Sequence, residues 1–333
     1  MVDIRELARR SGVSVATVSR ALNGRPDVSA ATRARIAELA EELGYRPSEA
    51  ARALVRGTSD VVGLVWDTWY ESVGQRHPFL AELLTGLKRA LAKSGFHLMM
   101  LTRKDQAETD TYLGVARQHR LAAVLMMGAE PDDPAVRALL GSEVPCVGLD
   151  LKLEGVRTSY VTSSNEAGAA QAVSYLHQLG HTRIGTITGP LDLMPARQRL
   201  QGYRDQLARL GLPTDPKLVG HGDFFLSSGY QLASEMLSSE RPPTALFVSG
   251  DEMAIGAMHA AGDLGRSVPG DLAIIGFDDI EAASLVRPAL STIAQDSDAL
   301  ATAAVELLAE MQDPAAAVTP RVVPTRLIPR ATT

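Results

Sequence analysis

The chain has 333 residues, 45% of them hydrophobic and 22% charged, and its formal net charge is −6. This length exceeds that of a typical single domain, so two or three folding units are expected, and the single cysteine, Cys146, excludes a disulfide framework. Because no apolar run reaches the ~20 residues of a membrane-spanning helix and no basic and apolar leader begins the chain, we expect a cytoplasmic protein with no membrane partner.

The charge is unevenly distributed along the chain. Residues 1–57 hold ten arginines and seven acidic residues, a net charge of +3, which leaves −9 for the remainder. A basic segment beside an acidic body is typical of proteins that contact nucleic acid through one unit. The acidic body should repel phosphate and leave the first segment as the contact.

Two short helices around a tight turn are predicted between residues 3 and 23. Ile4, Leu7 and Ala8 recur at helical spacing and mark the buried face of the first helix. Gly12 stands where that helix must end in a left-handed residue, a conformation that glycine adopts at little cost. Ser14 is suited to cap the second helix. This spacing predicts a helix-turn-helix.

The second helix has two different faces. Its inward positions are apolar: Val18, Ala21 and Leu22. Its outward positions carry small, hydroxyl and basic side chains: Val15, Ala16, Thr17, Ser19 and Arg20. Such a face suits a helix that enters the major groove of DNA, with Arg20 as the long donor for a guanine. From these residues alone, the alternative is a small helical hairpin with a solvated polar face.

A third helix is predicted over residues 30–43. Ser29 is placed to cap it and Gly44 to end it. Its inner face carries apolar side chains at helical spacing: Ile36, Leu39, Ala40 and Leu43. The three helices together predict a small helical head.

The first sixth of the chain resembles the DNA-binding head of the lac repressor/gal repressor family. The resemblance rests on the motifs GVSVATVSRALN at 12–23, VSAATRARI at 28–36 and ELGYRPSEAARAL at 42–54. Ser48 departs from the asparagine that the family usually has, and it can also cap the short helix that follows. The resemblance implies a helix-turn-helix head over residues 1–46, with DNA contacts at Ser14, Val15, Ala16, Thr17, Ser19, Arg20, Asn23 and Thr32.

Residues 47–58 connect this head to the rest of the chain. Pro47 can begin a helix, Gly57 can end one, and the residues between are mostly helix formers. A helix of about two and a half turns is marginal by itself, so a flexible linker is one interpretation. The resemblance instead implies a hinge helix that folds when it pairs with its twin in the minor groove. Ala51 would contact DNA there, and Leu54 would wedge into the central base step.

Residues 59–330 form the predicted body, in which apolar strands alternate with helices. The strands are predicted at 61–66, 96–101, 122–127, 144–149, 184–188, 218–220, 245–248 and 272–277. The helices are predicted at 79–93, 106–119, 135–140, 166–179, 199–210, 228–237 and 253–264. Most strands are continuously apolar, which indicates parallel sheets covered on both faces. Because the pattern restarts near residue 166, we expect two doubly wound α/β subdomains with a cleft at the carboxyl ends of their strands.

The body resembles the periplasmic-binding-protein-like fold with which the same repressor family binds its effector. Matching motifs include LGHTRIG at 179–185, RLQGY at 199–203, DEMAIGA at 251–257 and GFDD at 276–279. The resemblance implies three chain crossings between the halves and a dimer. A helix at 299–312 would return to the N-terminal half, and a strand at 322–327 to the C-terminal half. The implied subdomains are residues 59–162 with 296–321, and residues 163–295 with 322–330.

Three residues are the main candidates for contacts to an effector. Arg199 is predicted to open a helix at the cleft and matches the arginine with which the family clamps its effector. Its planar fork can donate two hydrogen bonds. Asp278 and Asp150 each end an apolar strand, one in each half, and can accept hydrogen bonds from hydroxyl groups. These side chains predict a site for a hydroxyl-rich ligand.

The resemblance adds further candidates around the cleft. Phe224 stands where the family places an aromatic platform under the ligand ring, although a core phenylalanine is the alternative. The remaining candidates are His77, Phe79, Gln295, Ser163 and Trp66. Gly250 replaces an asparagine that usually contacts the effector, so one polar anchor is missing and extra space is expected. The segment 66–76 is long and aromatic, and it either packs as a cover or stacks on a pyranose.

These features predict a transcription regulator, a repressor that binds a palindromic operator in double-stranded DNA as a homodimer. A small-molecule effector should control it, and a carbohydrate is expected, with a purine or nucleoside co-repressor as the alternative. A free-standing sugar-binding protein is a third interpretation, which the head motifs disfavour. The sequence has no nucleophile elbow, phosphate-binding glycine loop or clustered metal ligands, so an enzyme, a cofactor and a metal are not expected.

Overall fold

The computed structural model describes residues 3–22, 27–45, 59–66, 77–101, 111–130, 132–313 and 315–333. The predicted hinge helix at 47–58, with Ala51 and Leu54, lies outside these ranges, and so does the predicted DNA contact Asn23. Among the helices within them, none is long and apolar enough to cross a membrane.

The head consists of the helices α1 (Ile4–Ser11), α2 (Val15–Leu22) and α3 (Ala30–Glu42). One side chain from each helix is fully buried at their centre: Leu7, Val18 and Ile36. The helix-turn-helix and the third helix predicted from the sequence are therefore confirmed, with α3 ending one residue earlier than expected.

The predicted turn chemistry of the head is also confirmed. Gly12 has a φ of +69° at the end of α1. Ser14 Oγ accepts a hydrogen bond from the Thr17 N–H at 3.1 Å, and Ser29 Oγ accepts one from the Thr32 N–H at 3.2 Å. These caps satisfy N–H groups that have no partner inside a first helical turn, and they fix where α2 and α3 begin.

The body begins with five strands and three helices. They are β1 (Val61–Val65), α4 (Pro78–Lys93), β2 (His97–Leu101), α5 (Tyr112–Gln118), β3 (Ala123–Met127), α6 (Pro134–Leu140), β4 (Cys146–Leu149) and β5 (Thr158–Ser163). The second half then contains α7 (Asn165–Gln178), β6 (Ile184–Thr188), α8 (Met194–Arg209), a 3₁₀ turn (Pro216–Leu218), β7 (Val219–His221), α9 (Leu226–Leu237), β8 (Ala245–Val248), α10 (Asp251–Asp263), β9 (Ala273–Asp278), α11 (Glu281–Leu285) and β10 (Ser291–Ala294). The last elements are α12 (Ser297–Glu310), β11 (Arg321–Val323) and β12 (Arg326–Ile328).

These strands form two six-stranded sheets. The first has the order β11-β5-β4-β3-β1-β2 and is parallel throughout. The second has the order β12-β10-β9-β8-β6-β7, in which β12 alone is antiparallel. Every residue of β3, β4, β6 and β8 is buried, as expected for strands covered on both faces. We name the units around these sheets the N-terminal and C-terminal subdomains.

The chain crosses between the subdomains three times. The crossings lie between β5 and α7, between β10 and α12, and between β11 and β12. Hydrogen bonds join the first crossing to the third: the Ser164 N–H donates to the Val323 carbonyl at 2.8 Å, and the Thr325 N–H donates to Ser164 Oγ at 3.0 Å. These two crossings therefore form one braced connection.

The structure corrects several sequence predictions. The strand predicted at 322–327 is two strands, since β11 pairs with β5 and β12 pairs with β10, so residues 322 and 323 belong to the N-terminal subdomain. Helix α8 begins at Met194, five residues before its predicted start, and Arg199 therefore lies inside the helix instead of opening it. Strands β5 and β10 and helix α11 were not predicted, and the start predicted for α5, at residue 106, lies outside the described residues.

Candidate functional site

A cavity of about 430 Å³ lies between the subdomains at the carboxyl ends of their strands. Seven of the residues predicted for the effector site line it: Trp66, His77, Phe79, Asp150, Arg199, Phe224 and Asp278. The walls also include residues without a predicted role, among them Leu80, Leu83, Met127, Leu149, Lys152, Asp192 and Met194. The predicted candidates Ser163, Gly250 and Gln295 do not line this cavity.

Arg199 is the central cation of the site. Helix α8 places it with only 3% of its surface exposed, and its guanidinium carbon lies 3.7 Å from the centre of the Phe277 ring. Nε donates to Asn165 Oδ1 at 2.8 Å, and Nη1 donates to the Ser249 carbonyl at 2.7 Å and lies 3.4 Å from Asp278 Oδ1. Nη2 has no hydrogen-bond partner among the described residues and is available to a ligand.

Asp278 is the acceptor of the C-terminal wall. It is buried at the end of β9, and its Oδ1 accepts a hydrogen bond from Gln295 Nε2 at 2.7 Å as well as the longer contact from Arg199. Burial raises the pKa of Asp278 to about 7, against the opposing effect of the Arg199 charge. Gln295 therefore acts on the site through Asp278. Within the described part of the chain, Oδ2 of Asp278 accepts no hydrogen bond.

Asp150 is the acceptor of the N-terminal wall. It follows β4, and its Oδ1 accepts a hydrogen bond from Thr162 Oγ1 at 2.6 Å. Burial raises its pKa, while the bond from Thr162, the Arg199 charge and the Ser163 backbone lower it. The predicted residue Ser163 thus contributes its backbone to this wall, and its buried hydroxyl has no partner among the described residues.

His77 and Phe224 meet across the cleft. The His77 ring, which precedes α4, stands edge-on to Phe224 at 6.2 Å and to Phe225 at 6.1 Å between ring centres. Burial, followed by the Arg199 charge, lowers the pKa of His77 to about 4, so the ring is neutral near pH 7. Its Nδ1 is buried and has no partner among the described residues. His77 can therefore exchange a hydrogen bond with a ligand.

Backbone strain is concentrated at this site. Among the described residues, five other than glycine have a positive φ, and three of these line the cavity: Asp150 at +53°, Phe224 at +72° and Asp278 at +117°. Such conformations cost of order 1–3 kcal/mol each and persist where the surrounding structure enforces them. Their grouping shows that the surrounding fold holds these three residues in place at one cavity.

Gly250 does not widen the cavity as expected. A Cβ built at Gly250 would lie 3.2 Å from Cδ1 of Phe224, and one built at Gly189 would overlap the same ring. Because both positions are glycine, the Phe224 ring can settle against the loops that follow β6 and β8. The space left by the missing side chain is therefore occupied by Phe224.

Sequence reasoning missed a residue that joins the two walls. Asn165, the first residue of α7, is 1% exposed. Its Oδ1 accepts from Arg199, and its Nδ2 donates to Thr162 Oγ1 at 3.2 Å and to Gln198 Oε1 at 2.9 Å. The sequence signal was its place directly before the helix predicted at 166–179, where asparagine commonly serves as a cap, and nothing in that pattern marked it as a partner of Arg199.

The head presents its predicted DNA-facing side chains outward. Ser14, Val15, Ala16 and Arg20 are exposed, while Thr17 and Ser19 are partly exposed. Arg20 is held in place by Asp27, whose Oδ2 accepts from Nη1 at 3.1 Å, and by the Ala16 carbonyl, which accepts from Nε at 3.2 Å. Thr32 is partly exposed beside the cap Ser29. These predicted contact residues therefore lie on the surface of the head, outside its buried core.

Comparison with known proteins is consistent with both units. Residues 3–48 match the family model described as "Bacterial regulatory proteins, lacI family", and residues 173–333 match that of the "Periplasmic binding protein-like domain". Curated relatives include the HTH-type transcriptional regulator CelR of Thermobifida fusca, 34% identical over 91% of this chain and 90% of the relative. The HTH-type transcriptional repressor PurR of Aliivibrio salmonicida is 33% identical over 93% of this chain and 92% of its own.

Solved structures agree over the full length of the chain. The complex of CelR with cellobiose is 30% identical, with a TM-score of 0.74 and complete coverage of both chains. The lac repressor dimer bound to operator and the anti-inducer ONPF is 28% identical, with a TM-score of 0.80 over 99% of this chain and 98% of that one. The members of this family are DNA-binding transcriptional regulators and not enzymes. The chain belongs to the lacI family of bacterial transcriptional regulators.

Proposed function

We propose that this regulator represses transcription by binding a palindromic operator as a homodimer, under the control of a neutral carbohydrate of more than one ring. The observation that carries the effector class is the polar set of the cavity. Arg199 offers an unused donor, and Asp278 and Asp150 offer acceptors from opposite walls. Aromatic and aliphatic side chains supply the rest of the lining, as sugar rings require.

The charges around the cavity support a neutral ligand. Its lining contains five carboxylates, Glu130, Asp132, Asp150, Asp192 and Asp278, against three cations, Lys152, Arg197 and Arg199. A sugar phosphate or a uronic acid would meet this acidic excess with repulsion, whereas a neutral saccharide would not. The volume of about 430 Å³ lies within the usual range for small-molecule sites, and the similar CelR structure contains the disaccharide cellobiose.

A purine co-repressor is the second candidate. Phe224 lines the cavity and could stack on a flat base, while Arg199 could donate to a carbonyl oxygen. The similarity to a protein named PurR also favours this candidate. A hydroxyl-rich ligand can donate to both carboxylates, however, from several sides of its rings, whereas the few N–H donors of a purine all lie in one plane.

A ligand panel tests the effector class. The full chain is heated with cellobiose, glucose, ribose, hypoxanthine or guanine, and the unfolding midpoint is recorded. A true effector at about a hundred times its Kd stabilises the folded state by about 2.7 kcal/mol. Stabilisation by cellobiose or a related oligosaccharide supports the proposal. Micromolar binding of a nucleobase, with no response to any saccharide, rejects the carbohydrate.

The dimer is proposed on surface grounds as well. Leu285 is 64% exposed and Leu226 is 40% exposed, and both flank α10: the Leu226 carbonyl packs against Gly256, while Val286, next to Leu285, lines a small hollow with Ile255. Exposed apolar patches of this kind mark contact surfaces, and a palindrome needs two heads. Light scattering should give a dimer for the wild type and a monomer for Leu285→Glu, and a monomeric wild type would refute the proposal.

A further inference from the structure

We propose that Asn165 is a positioning residue whose buried amide holds Arg199 in register with Asp150, so that the two walls of the cavity act as one unit. The inference rests on the proposed function only in taking this cavity as the effector site. It concerns a residue that does not line the cavity and that stands at the first crossing between the subdomains.

The hydrogen bonds around Asn165 have a single possible direction. The Arg199 Nε–H can only donate, so the amide oxygen of Asn165 must face it, and the amide nitrogen must face Thr162 and Gln198. The single proton of Thr162 Oγ1 goes to Asp150 Oδ1, which leaves that oxygen to accept from Asn165. A continuous chain of donors thus runs from the C-terminal wall to the N-terminal wall.

Gln198 prevents the amide from turning away. It is the neighbour of Arg199 on α8, and its Oε1 accepts the second N–H of Asn165 at 2.9 Å. All three polar positions of the amide are therefore used, in a residue that is 1% exposed. Chains of buried hydrogen bonds of this kind rigidify a site when every member is satisfied.

This arrangement gives Asn165 a mechanical role. Arg199 and Thr162 share no hydrogen bond with each other, so a change at one reaches the other through the amide between them. A ligand that draws Asp150 and Arg199 together acts on a pair whose spacing is already set. Preorganisation of this kind improves affinity because less order has to be created on binding.

A double-mutant cycle on the full chain tests the coupling without any ligand. Thr162→Val removes the bridging hydroxyl, and Arg199→Lys removes Nε while keeping the charge. Urea unfolding is measured for each single variant and for the double variant. If the two sites were independent, the effects of the single variants on the unfolding constant would multiply to within about twofold. We expect the unfolding constant of the double variant to differ from that product by at least about fivefold. Additivity in this cycle overturns the proposal.

The same cycle in an Asn165→Asp background identifies the connecting residue. This variant keeps an oxygen for Arg199 but loses both amide donors. In this background the unfolding constant of the double variant should therefore agree within about twofold with the product of the single-variant effects. If the two substitutions remain as far from additive in this background as in the wild type, the proposal is overturned, because a residue that only supports the fold would destabilise all four proteins alike. Asn165→Ala replaces this variant if Asn165→Asp does not fold.

The matched control is the pair Thr188→Val and Arg199→Lys. Thr188 is also buried, but its hydroxyl donates to the Gly189 carbonyl, so the effects of these two changes on the unfolding free energy should be additive.

Cellobiose serves as the probe for the effect on binding. If the wild type binds it, Asn165→Asp should weaken the affinity at least about tenfold, although Asn165 does not line the cavity; an unchanged affinity overturns the proposed role in binding. If the wild type does not bind cellobiose, the saccharide that gives the largest thermal shift replaces it as the probe; if no saccharide binds, the proposed effector class is wrong, and the unfolding cycles decide the role of Asn165 independently.

Discussion

Lowering the pH from about 8 to about 6 should weaken saccharide binding about tenfold, because Asp278 loses its charge over this range. Burial raises the pKa of Asp278 to about 7, so the carboxylate is about nine-tenths ionised at pH 8 and about one-tenth at pH 6. Gln295 and Arg199 already donate to Oδ1. A ligand hydroxyl that donates to Oδ2 adds a further preference for the ionised form, so binding lowers the pKa and releases a proton.

Calorimetry at about pH 6, 7 and 8 measures this dependence, with the saccharide that gives the largest thermal shift. Repeating the titration at pH 7 in buffers of different ionisation enthalpy should reveal the release of about half a proton. His77 does not contribute, since its pKa lies at about 4, and any contribution from Asp150 has the same direction because burial raises its pKa as well. Asp150→Asn therefore separates the two carboxylates, and Asp278→Asn should remove most of the dependence.

The stability of the unliganded protein should change with pH in the opposite direction. The pKa of Asp278 is higher in the folded state than its ordinary value of 3.8, so its contribution is fully present at low pH and is lost as the pH rises from about 4 to about 7. The pH profile of binding is thus separable from general acid denaturation. An affinity that is equal at all three pH values would show that the ligand does not rely on ionised Asp278.

Four further predictions concern single substitutions. Arg199→Ala should weaken saccharide binding by at least about 1 kcal/mol in calorimetry, because a charged donor is lost from a closed cavity; an unchanged affinity would contradict the placement of the ligand. Gly189→Ala should displace the Phe224 ring and destabilise the protein by about 1–3 kcal/mol in urea unfolding, and wild-type stability would mean that the ring is not confined there. Arg20→Ala should cost about 1–3 kcal/mol of operator affinity and relax the preference at one base pair per half-site; an unchanged set of selected sequences would reject its contact with a base. Leu54→Ala should weaken operator binding but not non-specific or effector binding, and equal operator affinity at matched salt would refute the minor-groove wedge.

The strands that the sequence predicts best are those whose burial is uniform. Strand β8 (Ala245–Val248) has its predicted bounds, because a continuous apolar run marks a strand covered on both faces. Strand β5 (Thr158–Ser163) was missed because its residues are mostly hydroxyl-bearing and form no continuous apolar run. Its existence is decided by pairing with β4 and with β11, and β11 is distant in the sequence.

The site could be predicted where a side chain acts alone and not where it acts through others. Arg199, Asp278 and Asp150 follow from their chemistry, their places near strand ends and the family motifs. Asn165 could not be predicted in this way, because its role depends on three partners that only the folded chain brings together. Gly250 was misjudged for a similar reason, since the neighbouring Phe224 ring fills the position that looked open.

The brace between the first and third crossings constrains how the two subdomains can move when an effector binds. Ser164 ties these two stretches of chain together by hydrogen bonds, so the first and third crossings cannot shift past each other unless those bonds break. We therefore expect the subdomains to move by rotation at the crossings and not by sliding. Every ligand, whatever its shape, would then cause the same kind of rotation between the subdomains, and ligands would differ only in the size of that rotation. Cavity residues could change with the nutrient being sensed, while the motion delivered to the DNA-binding end stayed the same.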